Sequence, residues 1–158
     1  MGGLVGADRM CQARAEAGGF WGSYTAWLSN STDAPSSRFR CTAASCSAQG
    51  YQLVNGVSIA SDWTDLTTCE AGPTGECLAA ALVLSECNQP VISNPTWTNT
   101  RTNGTPGGVT NEHCQNWTVG TNAFTGNIGF SALQDADWTE ASFDACNSAN
   151  SLYCFQQD

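Results

Sequence analysis

The 158-residue chain contains no lysine: its cations are the five arginines Arg9, Arg14, Arg38, Arg40 and Arg101. That absence excludes Schiff-base chemistry and any phosphate loop built around a lysine. Against the arginines stand 14 acidic residues, so the formal net charge is −9 and the sequence pI is about 4.2. A surface of this sign repels nucleic acid and heparin, and no nucleic-acid partner is expected. Histidine occurs once, and no two cysteines are spaced as C-x-x-C. A zinc framework is therefore disfavoured. The longest apolar run, "LAAALVL", is too short to span a bilayer. The first residues do not read as a signal peptide. A secreted reading expects that an export segment has been removed, or that Met1 is an artificial start.

What is abundant is cysteine, with nine residues. Disulfides formed in an oxidising compartment account for such a count. The number is odd, so at least one thiol is free or pairs between chains. The length suits a single domain over 1–158, with a Cys-rich variable middle at about 41–87.

The first residues, "GGLVGADRMCQARAEAGG", raise the question of a phosphate-binding loop. They lack the GK[ST] ending and a preceding strand, so the glycines read instead as a tight turn into a helix. Helix is expected over Asp8 to Ala17, with Asp8 near its N-terminal dipole and Gly18-Gly19 as its stop. "SYTAWLS" alternates, with Tyr24, Ala26 and Leu28 on one face and Thr25 and Trp27 on the other, which predicts a strand. "NSTDAPSSR" reads as a loop. "YQLVNGVSIA" predicts a hairpin about Asn55-Gly56. "SDWTDL" predicts one helical turn capped by Ser61. "CLAAALVL" leaves strand and helix open. Further strands are expected near "TWTNT", "NWTV" and "SLYCFQ". One early helix followed by short strands and long loops indicates an α+β fold.

Three blocks, "GGLVGADRMCQARAEAGGFWGSYTAWLSNST", "PTWTNTRTNGT…CQNWT" and "DWTEASFDAC…SLYCFQQ", together resemble the endostatin-like branch of the C-type-lectin-like fold. That branch includes a bacterial family of secreted or surface proteins of largely unassigned function. The resemblance implies a short N-terminal helix, a twisted, mostly antiparallel sheet and long loops. It also implies two nested disulfides, Cys11–Cys154 and Cys114–Cys146. A bridge from the early helix to the last strand closes almost the whole chain, where loop-entropy models give about 4–5 kcal/mol. The family usually carries a strand ahead of the "GGL" block, paired with the C-terminal strand. Only Met1 precedes the block here, so the expectation is either a shortened start or an open edge on the last strand.

The chain departs from the family in its middle. Cys41, Cys46, Cys69, Cys77 and Cys87 have no family counterpart. Their spacing suggests local bridges Cys69–Cys77 and Cys41–Cys46, which leaves Cys87 over. The N-terminal histidines and arginine patches by which animal endostatins bind zinc and heparin are absent. So are the EPN, QPD and WND calcium motifs of sugar-binding lectins.

Candidate sites are few. His113 lies between Glu112 and Cys114; as a base it would need a nucleophile, and an exposed loop histidine is the plainer expectation. Asp135, Asp137 and Glu140 could offer oxygens to calcium, though "DADWTE" lacks the ligand count and glycine of an EF-hand loop. No other cofactor is indicated. Asp62 and Asp65 flank Trp63 as caps or as paired carboxylates, with nothing to mark a cleft between them. In "TWTNTRT", Thr96, Thr98, Thr100 and Thr102 recur with period two, and Trp97, Asn99 and Arg101 alternate with them. Such a threonine face could bind a glycan, act as an ice-like template or pack between subunits, although threonine is also simply a good strand residue. Trp21, Trp63, Trp97, Trp117 and Trp138 are candidates for stacking on sugars or for filling the core. Sequons occur at Asn30, Asn103 and Asn116.

Catalytic residues are not expected, and a hydrolase is the least favoured reading. The leading expectation is an extracellular or cell-surface recognition module that binds a protein or glycan ligand. The alternative is a self-associating subunit of a surface assembly or filament, its open sheet edge completed by a neighbour.

Overall fold

A computed structural model describes residues 1–40, 50–69, 75–91, 94–107 and 113–157. The chain opens with helix α1, Gly3–Ala17. Gly2 and Gly3 take positive φ, and the Gly2 amide donates to the Trp117 carbonyl at 3.2 Å. The helix thus starts five residues ahead of the expected Asp8. Asp8 lies mid-helix, away from the N-terminal dipole, and its carboxylate serves a tertiary contact instead. At the other end Gly19, at φ 78°, forms a left-handed cap. The amides of Gly19 and Phe20 return to the carbonyls of Glu16 and Ala15, the paired bonds that satisfy a helix C-terminus.

Strand β1, Tyr24–Ala26, pairs antiparallel with the last strand, β7, Cys154–Gln156. The outer edge of β1 is covered by side chains of α1: Asp8 accepts from the Ala26 amide and Gln12 from the Tyr24 amide, each at 3.0 Å. The expected loop at 30–38 holds a short helix, α2, Pro35–Arg38, started by Pro35 with its fixed φ. Arg38 reaches back to the carbonyls of Ala26 and Leu28 and pairs with Asp8.

The hairpin about Asn55-Gly56 is present as β2, Tyr51–Gln52, and β3, Ser58–Ala60. Gly56 has φ 85°, and the Leu53 amide donates to the Val57 carbonyl across the turn. Helix α3, Trp63–Thr67, follows, but its cap is Asp62 and not Ser61. Asp62 accepts from the Asp65 amide at 2.9 Å while Asp65 accepts from the Ser61 amide at 2.7 Å. The "CLAAALVL" stretch forms neither helix nor regular strand; Leu84 makes an isolated bridge to Pro90.

A three-stranded antiparallel sheet joins β4, Pro95–Trp97, β5, Thr125–Phe130, and β6, Ser142–Ala145. Strands β5 and β6 are not among the expected ones: in β5, Gly126 and Gly129 weaken the strand pattern, and β6, SFDA, is too short to show one. Those glycines are set by packing: a Cβ on Gly129 would stand 1.9 Å from the Trp138 carbonyl oxygen, and one on Gly126 2.8 Å from the Trp97 ring. The expected "NWTV" strand is absent. In its place Cys114–Trp117 forms a single helical turn whose residues all have positive φ, 49°, 49°, 56° and 62°. The Trp117 amide donates to the His113 carbonyl at 2.7 Å. A 3-10 turn, Ala136–Trp138, follows β5.

The architecture is therefore mixed α and β, with short helices after the first and, among the described residues, three small antiparallel sheets in place of one larger sheet. The alternation of β1 and the residues after it serves two cores. Trp27 enters one, with Phe39, Leu66, Trp138, Tyr153 and Phe155. Ala26 and Leu28 enter the other, with Ala7, Trp97, Trp117 and Ile128. Around Trp27 the rings of Trp138, Phe39, Phe155 and Trp63 lie 5.0–6.0 Å away, the spacing of favourable aromatic packing.

Candidate functional site

Three disulfides are present among the described residues: Cys11–Cys154, Cys69–Cys77 and Cys114–Cys146. The first and third are the nested pairs that the resemblance implies, and the second is the local pair suggested by spacing. Among the described residues Cys87 has no disulfide partner, and its thiol is exposed. Cys41 and Cys46, and the local bridge expected between them, lie outside the described residues. The Cys11–Cys154 bridge ties α1 to β7, and both cysteines lie in the wall of a broad concavity.

That concavity is an open groove of about 1210 Å³ between α1, β7, the β2–β3 hairpin and the irregular segment around Leu82–Val91. Phe20, Tyr24, Tyr51 and Phe155 contribute aromatic faces to it, and Thr96, Ser131, Asn150 and Ser151 contribute neutral polar groups. Arg14 is the one cationic side chain in its lining among the described residues, and it pairs with Glu86 across the lip at 3.4 Å. At the floor, burial pushes the Tyr153 phenol well above its ordinary pKa, and the Thr96 hydroxyl beside it acts weakly in the opposite direction. The phenol therefore stays protonated and donates to the Trp138 carbonyl at 2.9 Å. Pockets that combine apolar faces with a few placed polar groups are the usual form of a ligand site.

The threonines do not form an open face. Strand β4 ends at Trp97, and Asn99 turns the chain with φ 42°. Thr96, Thr98 and Thr100 are buried, and Thr102 is half-buried. The hydroxyls of the three buried threonines are paired internally: Thr96 donates to the Asn94 carbonyl at 3.3 Å, Thr98 to the Thr139 carbonyl at 2.6 Å, and Thr100 to the Thr98 carbonyl at 2.8 Å. Thr139 in turn accepts from the Trp27 indole and donates to the Thr100 carbonyl, each at 2.8 Å. The period-two pattern is thus a buried polar seam, in which every hydroxyl that pairs inside avoids a desolvation cost. Thr96 alone of the four also lines the groove.

His113, expected in an exposed loop, is buried and caps the left-handed turn, its Nδ1 accepting from the Asn116 amide at 2.7 Å. Asp135, Asp137 and Glu140 are exposed. Asp135 caps the 3-10 turn through the Asp137 amide, and Glu140 accepts from the Thr102 amide at 2.9 Å. Among the described residues no group of three or more His, Cys, Asp or Glu is arranged to hold a metal ion. Of the tryptophans, Trp27, Trp97, Trp117 and Trp138 are core residues, Trp63 packs half-buried against the Trp27 core, and Trp21 is 90 % exposed. The sequon asparagines serve as acceptors: Asn30 for Thr32 and Asp33 and Asn103 for Thr105 within turns, and Asn116 for Ser31 across the fold.

Sequence reasoning missed the groove itself. Its walls come from segments far apart in the chain, and no local motif records their meeting. No protein-family model matches this chain, and no curated protein matches its sequence significantly. Among the described residues no helix is long and apolar enough to cross a membrane.

Proposed function

We propose that the protein is a non-enzymatic recognition or adhesion module, secreted or held at a cell surface, with a C-type-lectin-like domain of the endostatin-like kind. It binds a glycan or protein ligand in the groove between α1, β7 and the β2–β3 hairpin. The observation that carries this reading is the groove's composition: aromatic faces beside neutral polar groups, on walls joined by the Cys11–Cys154 bridge. Rigid walls reduce the ordering cost of binding. The three disulfides support an oxidising, extracellular setting. Glycan and matrix-protein arrays test the reading, with Phe20→Ala and Tyr24→Ala as groove variants. Selective binding that both variants weaken is expected. Failure to bind any probe, or binding that both variants leave unchanged, overturns it.

A structural subunit of a surface assembly is the second reading. It is supported by the exposed thiol of Cys87 and by the exposed side chains of Val5, Met10 and Trp21. Size-exclusion chromatography with light scattering separates the two. A stable monomer over the accessible concentration range removes the assembly reading.

A further inference from the structure

One end of the groove is built from hydroxyls. Ser131 follows β5 directly, and the pairing of Pro95 with Phe130 sets it alongside the start of β4. Thr96 of β4 bridges to Ser151, and Tyr153 follows two residues later. All four of these hydroxyl residues line the groove; Thr96 already donates to the Asn94 carbonyl at 3.3 Å and Tyr153 to the Trp138 carbonyl, which leaves Ser131 as the buried unpaired one. Ser131 is only 3 % exposed, yet its Oγ has no hydrogen-bond partner among the described residues. A buried hydroxyl without a partner is costly, and native structures rarely keep one without a reason.

We propose that this end of the groove is a subsite for neutral hydroxyl groups, so that the ligand is an uncharged saccharide and not an acidic glycan or a charged peptide. The inference rests on the recognition reading above and narrows it. Serine can both donate and accept, as a sugar hydroxyl does, so the two are matched partners. None of the four hydroxyl residues carries charge at neutral pH. An ionised ligand group placed among them would be desolvated without a counter-charge. At the lip, Arg14 is already engaged by Glu86, and the chain as a whole carries −9. Carboxylated or sulfated sugars therefore meet repulsion and no free cation among the described lining residues. Phe20 and Tyr24 supply flat apolar surface for the C–H faces of pyranose rings.

The test uses the full chain against immobilised neutral oligosaccharides (cello-, manno-, xylo- and chito-oligomers) and uronate-containing counterparts. Neutral probes are expected to bind and uronates to fail. Ser131→Ala is expected to weaken the neutral probe about three- to ten-fold, the worth of one hydrogen bond. The same variant is expected to leave the melting temperature of the ligand-free protein equal or higher, because it removes an unpaired buried hydroxyl. A residue with a purely structural role would show the reverse, a lower melting temperature with unchanged affinity, and that result overturns the subsite. Equal or tighter binding of uronates overturns the neutral-ligand assignment. Binding of matrix proteins but no saccharide overturns this inference and leaves the recognition reading standing. Absence of all binding overturns both.

Discussion

Single polar side chains do much of the joining in this molecule. Asp8 and Arg38 are 30 positions apart, yet they pair and together hold the backbone of β1 and Leu28. The Arg38 side chain is 13 % exposed and that of Asp8 33 %. Arg38→Ala strands the Asp8 carboxylate and two carbonyls, and is expected to cost about 2 kcal/mol in urea unfolding, below the cost of breaking a fully buried pair. A second polar tie is subject to pH. The Asn150 amide, with smaller help from Ser148 and the Ala145 amide, holds the Asp144 carboxyl below its usual range against the opposing effect of desolvation. Because the folded value is the lower one, the contribution is present above the unfolded pKa of about 3.9 and is lost as pH falls through the folded value. Asn150→Ala should move the Asp144 titration upward in an NMR pH series. No movement would show that Asn150 does not set it.

At the scale of elements, the left-handed turn at Cys114–Trp117 is the least expected piece. Each non-glycine residue in this conformation costs roughly 1–2 kcal/mol. The surroundings over-determine it: the Cys114–Cys146 bridge, the His113 cap, and the Trp117 indole donating to the Ser29 carbonyl at 2.8 Å. Gln115 is exposed at φ 49°. Gln115→Gly should therefore stabilise the protein by about 1 kcal/mol in denaturant unfolding, strain relief outweighing the added entropy of the unfolded chain. Destabilisation would mean that the turn is not strained. The elements that were legible beforehand share one property. Helix α1 with its Gly18-Gly19 stop, β1, and the Asn55-Gly56 hairpin all carry their instructions within a few residues. Strand β5 does not, since Gly126 and Gly129 make sense only beneath Trp97 and Trp138, and β6 follows from its pairing with β5. His113 is the same kind of case. A histidine flanked by polar residues looks exposed until the Asn116 amide and the bridge from Cys114 draw it inside.

At the scale of the whole molecule, the Cys11–Cys154 bridge spans 143 positions and closes nearly the entire chain. The paired replacement Cys11→Ser with Cys154→Ser should lower stability by about 4 kcal/mol, mainly by freeing the unfolded chain. The loss should be about twice that for Cys69→Ser with Cys77→Ser, where the separation is 8. Equal losses in thermal unfolding would contradict the loop-entropy account. Peptide mapping under non-reducing conditions checks the three pairings directly and shows the fate of Cys87.

The sequence alone determined the charge sign, the disulfide-rich class, the mixed α and β composition and the local hairpin and helix stops. These follow from composition, from spacing and from φ preferences within a few residues. Tertiary structure decided what the residues are for. The threonines of "TWTNTRT" have the spacing of an open strand face, and burial turned them into an internal hydrogen-bonded seam. The groove was likewise out of reach of any local pattern. Its walls are brought together by a disulfide between the chain's two ends and by β1–β7 pairing. Alternation and spacing report local geometry, whereas concavity and burial depend on which distant surfaces pack, and that is settled only when the two cores form.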